Sequence, residues 1–226
     1  MMTITMEYNI ADRSLYIIDD VVSPELAADW ERFILQPHPP GNVQQDIGHD
    51  FMTDDKVLEN YIVVHNEPTP EDDPILTDAF KALHTAMTET VPSGEYFVRK
   101  WYTNIMVPNS SPWVHRDSRY APNESFTSLW YSHKNWHPNW GGETLFYHID
   151  TTDAEFFNKS LKYNKETPDL HDKLNNMLCD CEITAVVPKP NRLVIFDSGI
   201  LHSGRAPQTE ITRLTTALKI TSTKHV

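Results

Sequence analysis

Cysteine is nearly absent from this chain: Cys179 and Cys181 are the only two among 226 residues. Two thiols cannot build the multi-bridge framework of a small secreted domain, and Cys-x-Cys is not the spacing of a zinc ribbon. Both are read as reduced thiols. Glycine is also scarce, with seven residues against sixteen prolines, which points to rigid loops between short elements. Basic residues are outnumbered, 19 Lys and Arg against 32 Asp and Glu, for a net charge of −13. Such a surface repels phosphate backbones and argues against a nucleic-acid partner. Met1 to Ile10 contain no basic segment followed by an apolar run, so no signal peptide is expected. No apolar run reaches the length that spans a bilayer, so no membrane partner is expected either. A cytoplasmic location is the resulting expectation.

Hydrophobic content is low at 39%, but six Trp, nine Tyr and nine Phe supply large core side chains. The length fits one domain over 1–226 with a sizeable core. Leu15 to Ile18 reads as a strand. Ser23-Pro24 then caps a helix carrying Leu26, Trp30, Phe33 and Ile34, which Pro37 stops. A turn-rich stretch follows to about Asp55, then a strand around Tyr61 to Val64. Asp73-Pro74 opens a second helix, with Leu76, Phe80, Leu83 and Met87 on one stripe. From residue 95 the pattern becomes strands: Glu95 to Met106, Ser125 to Ser132, Glu143 to Ile149, Ile183 to Val187, Arg192 to Phe196 and Ile211 to Thr221. The expected fold class is mainly β with flanking helices (α+β). Helical support covers about 15–95 and a β core about 95–221. A polar insertion at about 150–182, with a helix near Asp169 to Leu178, is placed outside the core as a lid or flap.

His115-Arg116-Asp117 is the most informative local feature. Residues i and i+2 of a strand point the same way, so His115 and Asp117 can face one cavity while Arg116 faces away. A second histidine, His202, follows the apolar strand Arg192 to Phe196 and a turn. Two imidazoles and one carboxylate are the ligand set of a non-haem Fe(II) site with open positions. His-x-Asp by itself recurs by chance, and a lone His beside Gly is usually a turn residue, so the surrounding segments decide. Arg213, Thr215 and Ala217 share one face of the last strand. A guanidinium there can take a carboxylate through two parallel hydrogen bonds. Lys219 has the same parity but lies roughly 20 Å along the strand, which places it at the far end. His133, His137 and His148 lack a ligand spacing and are assigned no metal.

Several ordered pieces resemble one family. They are Trp113-Val114-His115-Arg116-Asp117, Leu129-Trp130-Tyr131, Trp140-Gly141-Gly142-Glu143-Thr144-Leu145-Phe146, Pro188 to Phe196, Leu201-His202-Ser203-Gly204 and Arg213-Leu214-Thr215. From about Val98 to Lys219 the chain resembles the Fe(II)/2-oxoglutarate-dependent dioxygenases, in particular the prolyl 4-hydroxylase-like branch. The resemblance implies a double-stranded β-helix (jelly-roll) and an iron centre at His115, Asp117 and His202, which are metal ligands and catalytic residues at once. It also implies 2-oxoglutarate as cosubstrate, bound at Arg213 with Tyr131, Tyr102 and Thr215 beside it, together with O2 and with ascorbate as a candidate reductant. The reaction implied is hydroxylation of an unactivated C–H, with succinate and CO2 as coproducts. The carboxylate Asp117 fits hydroxylation, since halogenases of this class carry a small residue there.

The substrate implied is a peptidyl-proline or another amino-acid residue. The glycine-free loop Val107 to Pro112 departs from the glycine-containing turn common in peptide prolyl hydroxylases, which keeps a free amino acid or small metabolite open. Two further readings differ in class. One is an AlkB-type nucleic-acid demethylase, for which Arg213 and Lys219 echo paired basic residues but no basic groove exists. The other is a non-catalytic jelly-roll binding module. Trp136 and Trp140 flank the Gly141-Gly142 turn, and Arg205 is left between substrate contact and loop cap.

Overall fold

The computed structural model describes residues 3–37, 43–45, 61–69, 72–108, 114–150 and 176–223. The chain starts with a hairpin, β1 (Ile4–Ile10) and β2 (Arg13–Ile18). Ala11 and Asp12 at its tip both have positive φ, 49° and 62°, the tight primed-turn geometry that matches strand twist. Helix α1 (Pro24–Ile34) follows, with the Ser23 side chain accepting from Leu26 N at 3.2 Å. Then come β3 (Val43–Gln45), β4 (Tyr61–His65) and α2 (Pro74–Thr90), capped by the Asp73 carboxylate on Ile75 N. The remaining strands are β5 (Tyr96–Met106), β6 (Ser125–Tyr131), β7 (Thr144–Tyr147), β8 (Ile183–Val186), β9 (Leu193–Asp197), β10 (His202–Gly204) and β11 (Arg213–Ser222).

These strands form two antiparallel sheets, β1-β2-β9-β6-β11-β5-β4-β3 and β10-β7-β8. Strand alternation gives the large sheet two different faces. Its outer face carries Ile18, Trp101, Ile105, Trp130, Leu193, Leu214 and Leu218 and packs on α1 and α2 through Trp30, Phe80, Leu83 and Met87. Trp30 is fully buried, stacks on Trp101 with centroids 5.8 Å apart, and donates from Nε1 to Thr216 Oγ1 at 2.9 Å. The inner face presents Leu15, Ile17, Tyr102, Leu129, Tyr131, Val194, Phe196 and Ala217 to Phe146 and Val186 of the small sheet. This is the double-stranded β-helix.

Three expectations change here. The hairpin strand β1 was not foreseen, because Ile4, Met6 and Tyr8 are exposed on an edge strand and give no burial period. A short strand, β3, interrupts the stretch expected to be turns; its pairing with β4 sets it. His115 is held not in a regular strand but by an isolated bridge to His202. The expected lid lies mostly outside the described residues. Its end, at 176–180, is helical and packs Met177 and Leu178 on Tyr147, Ile149 and Leu201. Among the described residues no helix is long and apolar enough to cross a membrane.

One ion-pair cluster ties β2 to the turn before β9. Asp19 accepts from Arg192 Nε at 2.7 Å and Nη2 at 3.1 Å, and from Lys189 Nζ at 2.9 Å. Arg192 first, then Lys189, holds its carboxyl below the ordinary value of 3.8 in spite of partial burial. A depressed folded-state pKa stabilises above the unfolded value and is lost as pH falls through the folded one. Asp19→Asn is therefore expected to cost about 1.5–3 kcal/mol at neutral pH. The gap to wild type should narrow between neutral pH and a pH below 3.8, as the solution falls through the depressed folded-state pKa. Urea unfolding at the two pH values measures it, and a gap independent of pH would contradict the assignment.

Candidate active site

Backbone pairing, rather than side-chain attraction, brings the first three residues together. His115 N donates to His202 O at 2.9 Å and His202 N to His115 O at 2.8 Å, while Asp117 N and Ser118 N both donate to Ser198 O at 2.9 Å. The ligand atoms of His115, Asp117 and His202 then all lie within 4.8 Å of one another, the one such group among the described residues. His115 Nε2 is 3.6 Å from Asp117 Oδ1, and His202 Nε2 is 3.7 Å from Asp117 Oδ2. The His115 side chain is 41% exposed, against 6% for Asp117 and His202, so the cluster opens to solvent on the His115 side.

Two of the three members are fixed from behind. His202 Nδ1 lies 2.9 Å from the Ile200 carbonyl. A carbonyl only accepts, so Nδ1 carries the proton and Nε2 keeps its lone pair toward the cluster. Burial first, then His115, pushes the His202 pKa down to about 4, so the ring is neutral at pH 7. Burial alone would raise the Asp117 pKa; Lys219 foremost, then His202 and His115, more than offset it and hold the carboxyl well below the usual range. The turn before His202 is pinned by Asp197, which ion-pairs with Arg13 and accepts from Gly199 N at 2.8 Å and Asn123 N at 2.7 Å.

The other end of the pocket is built around Arg213. Its β11 neighbours in register are Met106 on β5 and, two residues on, Thr215 opposite Tyr131 on β6. Arg213 is 3% exposed. It donates from Nε to Gly142 O at 2.7 Å, from Nη1 to Thr215 Oγ1 at 3.3 Å and from Nη2 to Thr144 Oγ1 at 2.8 Å. Of the five N–H groups of a guanidinium, these three are used, which leaves two. No carboxylate of the described residues pairs with it. A buried cation without a counter-ion is costly unless an anion joins it. Gly142 has φ 79°, and a Cβ there would sit 2.6 Å from Trp136, so glycine lets its carbonyl reach the arginine.

Tyr131 is fully buried and shares a 2.7 Å hydrogen bond with Thr144 Oγ1, with the guanidinium 5.3 Å from its ring centroid. Arg213, Thr215 and Tyr131 thus meet, and Thr144 joins them. Tyr102 lies at the opposite end, its ring 5.4 Å from Lys219 Nζ and 4.6 Å from Lys100 Nζ. The two ends face one another across β7: Thr144 touches Arg213, and Phe146 lies beside His202 with centroids 6.1 Å apart. Two residues of strand separate them by roughly 7 Å, the span of a short dicarboxylate. Small side chains, Thr215 and Ala217, floor the interval.

Sequence reasoning missed Lys219, Thr127 and Asp197. Lys219 was set aside as too far from Arg213, and it is far. The His115, Asp117 and His202 cluster is at that far end, where Lys219 Nζ donates to Asp117 Oδ1 at 2.6 Å and Thr127 Oγ1 to Oδ2 at 2.8 Å. Arg205 has an exposed side chain and holds its loop through backbone N to Glu143 O at 2.8 Å. His148 and His137 bond Thr184 and the Asn139 amide, apart from the cluster. His133 is buried against Trp136 at 4.3 Å with neither ring nitrogen hydrogen-bonded; burial first, then Arg213, pushes its pKa down to about 3.

Two imidazoles and a carboxylate gathered within 4.8 Å of one another fit an octahedral ferrous ion with three positions left over. The Arg213 guanidinium, with no counter-ion among the described residues, fits the far carboxylate of 2-oxoglutarate. Solved structures share this fold. A Pseudomonas putida prolyl-4-hydroxylase is 14% identical with TM-score 0.56, covering 92% of each chain. AviO1 from Streptomyces viridochromogenes is 14% identical with TM-score 0.64, over 92% of this chain and 90% of that one. HygX from Streptomyces hygroscopicus, with nickel, 2-oxoglutarate and hygromycin B bound, is 12% identical with TM-score 0.55, over 95% of this chain and 84% of that one. No curated protein matches the sequence. The family model of the 2OG-Fe(II) oxygenase superfamily matches residues 105–219, just over half of the chain and the whole span from Arg213's strand partner to Lys219. The chain belongs to the 2OG-Fe(II) oxygenase superfamily, whose Fe(II) and 2-oxoglutarate these residues suit.

Proposed function

We propose that this protein is a hydroxylase of unactivated C–H bonds, with His115, Asp117 and His202 as metal ligands and Arg213 as the cosubstrate anchor. One observation carries the reading: along one face of β11, a metal-ready His-Asp-His cluster sits against Lys219 at one end, and at the other lies the buried Arg213 guanidinium with no counter-ion among the described residues. A vestigial binding module has no reason to keep both. Bound there, iron and 2-oxoglutarate supply the O2-dependent oxidation, with succinate and CO2 released.

The chain's own residues do the rest. Arg213 offers its two free N–H groups, and Thr144 and Thr215 fix the plane of the fork. Tyr131 orients Thr144 and closes that end to water. The Ile200 carbonyl keeps His202 in the ligating tautomer. Asp117, a carboxylate rather than a small residue, fills the third ligand position and favours hydroxyl transfer. Substrate enters on the exposed His115 side. Its class is an amino-acid residue in a peptide, peptidyl-proline included, with a free amino acid or small metabolite as the second reading. Both find a parallel among fold neighbours: one structure holds a hypoxia-inducible-factor peptide fragment, another hygromycin B.

The test is succinate release by the purified chain with Fe(II), 2-oxoglutarate and O2, against panels of proline peptides and of free amino acids. Fe(II)-dependent succinate, stimulated by one panel and matched by a mass gain of one oxygen in the substrate, is expected. Absence of Fe(II)-dependent succinate, with and without substrates, would overturn the proposal.

A further inference from the structure

The pocket holds a second cation that ligand geometry alone does not require. Lys219 lies on the face of β11 that carries Arg213, Thr215 and Ala217, and its side chain is 21% exposed. Its Nζ donates to Asp117 Oδ1 at 2.6 Å, and the Tyr102 hydroxyl is a further hydrogen-bond partner. Thr127 Oγ1, braced by Ser198 Oγ at 2.9 Å, donates to Oδ2 at 2.8 Å. Both carboxylate oxygens therefore already carry a donor. Each has one lone-pair direction left, so a metal held by both oxygens would crowd both donors at once, whereas one-point attachment leaves the donor on the other oxygen undisturbed.

The charge matters as much as the contact. A cation this close to a ligand carboxylate repels a dication arriving at the other side and attracts an anion bound to that metal. We infer that Lys219 is a positioning residue that holds Asp117 as a one-point ligand and adds a positive charge to the metal end, so that metal affinity is sacrificed and affinity for the dianionic cosubstrate is raised. The inference rests on the metal reading of His115, Asp117 and His202. A purely structural Lys219 makes a different prediction. Without it Asp117 would swing free, and metal and cosubstrate would both bind less well.

The experiment is calorimetric titration of the full chain, first with Mn(II), which neighbours Fe(II) in the divalent affinity order, then with 2-oxoglutarate on the Mn(II)-saturated protein. Wild type, Lys219→Met, Lys219→Gln and Lys219→Arg are compared, with near-ultraviolet dichroism to report folding. Lys219→Met is expected to bind Mn(II) a few-fold more tightly and 2-oxoglutarate roughly tenfold more weakly. Lys219→Gln keeps a donor for Oδ1 without the charge, is the milder replacement for folding, and should show the same opposed shifts. Lys219→Arg should stay near wild type in both. Parallel weakening of both affinities, or a wild-type-like Lys219→Gln, would overturn the role of the charge. Failure of wild type itself to bind Mn(II) would instead remove the metal reading, and this inference with it.

Discussion

Asp117→Ala is expected to abolish Fe(II)-dependent succinate formation and to weaken Mn(II) binding by more than about 100-fold, beyond the ~10–100-fold typical of losing an outer-shell partner. The reasons are additive. His115 and His202 would remain as the two imidazole donors, and His115 is the more exposed of them. Lys219 would then present an uncompensated charge to the arriving dication, because its carboxylate partner at 2.6 Å is gone. The same loss reaches stability. Removing one member of a buried ion pair costs about 3–5 kcal/mol when the other stays fully desolvated. Lys219 retains 21% exposure, so the lower end of that range is expected in urea unfolding. Thr127 is spared, since Ser198 still bonds it. Asp117→Asn separates the two effects: it keeps an oxygen in place but removes the charge, and it should recover part of the stability without the activity. Full turnover in Asp117→Ala would end the assignment of this carboxylate as a ligand.

How much of this was legible in the sequence depends on the range over which each feature is decided. Local rules decided the helices. Ser23-Pro24 and Asp73-Pro74 cap and start them, and the stripes at Trp30, Ile34, Phe80, Leu83 and Met87 are the buried faces. The two-residue period placed Arg213, Thr215 and Ala217 on one face, which the pairing with Tyr131 and Leu129 bears out. Family-like segments grouped His202 with His115 and Asp117. What stayed hidden depends on which strand pairs with which. Asp197 reads as the polar end of an apolar strand; only the β2–β9 pairing brings Arg13 to it. Thr127 is an ordinary strand threonine until Lys219 pairs with it across β6 and β11. Lys219 does lie at the other end of β11 from Arg213, but that end is beside Asp117, so the strand carries a cation at each end of the site. His115 and Asp117 keep the orientation expected of a strand although a single bridge replaces the ladder, because the bonds to His202 and Ser198 fix the same backbone direction.

Arg213→Met is expected to do opposite things to stability and to cosubstrate binding. In the protein without cosubstrate the guanidinium is buried with no counter-ion among the described residues, so its desolvation is offset by three hydrogen bonds to neutral oxygens and by the Tyr131 ring. Methionine fills much of the same volume with no charge to desolvate. The variant should therefore unfold at the same urea concentration as wild type or a higher one, as replacements of buried charges by apolar residues often do. Binding should suffer heavily. Losing one partner of a buried, hydrogen-bonded charge pair costs about 2–5 kcal/mol, roughly 30-fold to several thousand-fold in Kd. Arg213→Lys is the discriminating control. It restores the charge but not the planar fork, so it should recover only part of the affinity. Mn(II) binding in all three proteins should be unchanged, because Arg213 touches Gly142, Thr144 and Thr215 and none of the metal ligands. A variant that is strongly destabilised yet binds 2-oxoglutarate as wild type does would mean that Arg213 is a structural residue and that the cosubstrate's far carboxylate is held elsewhere.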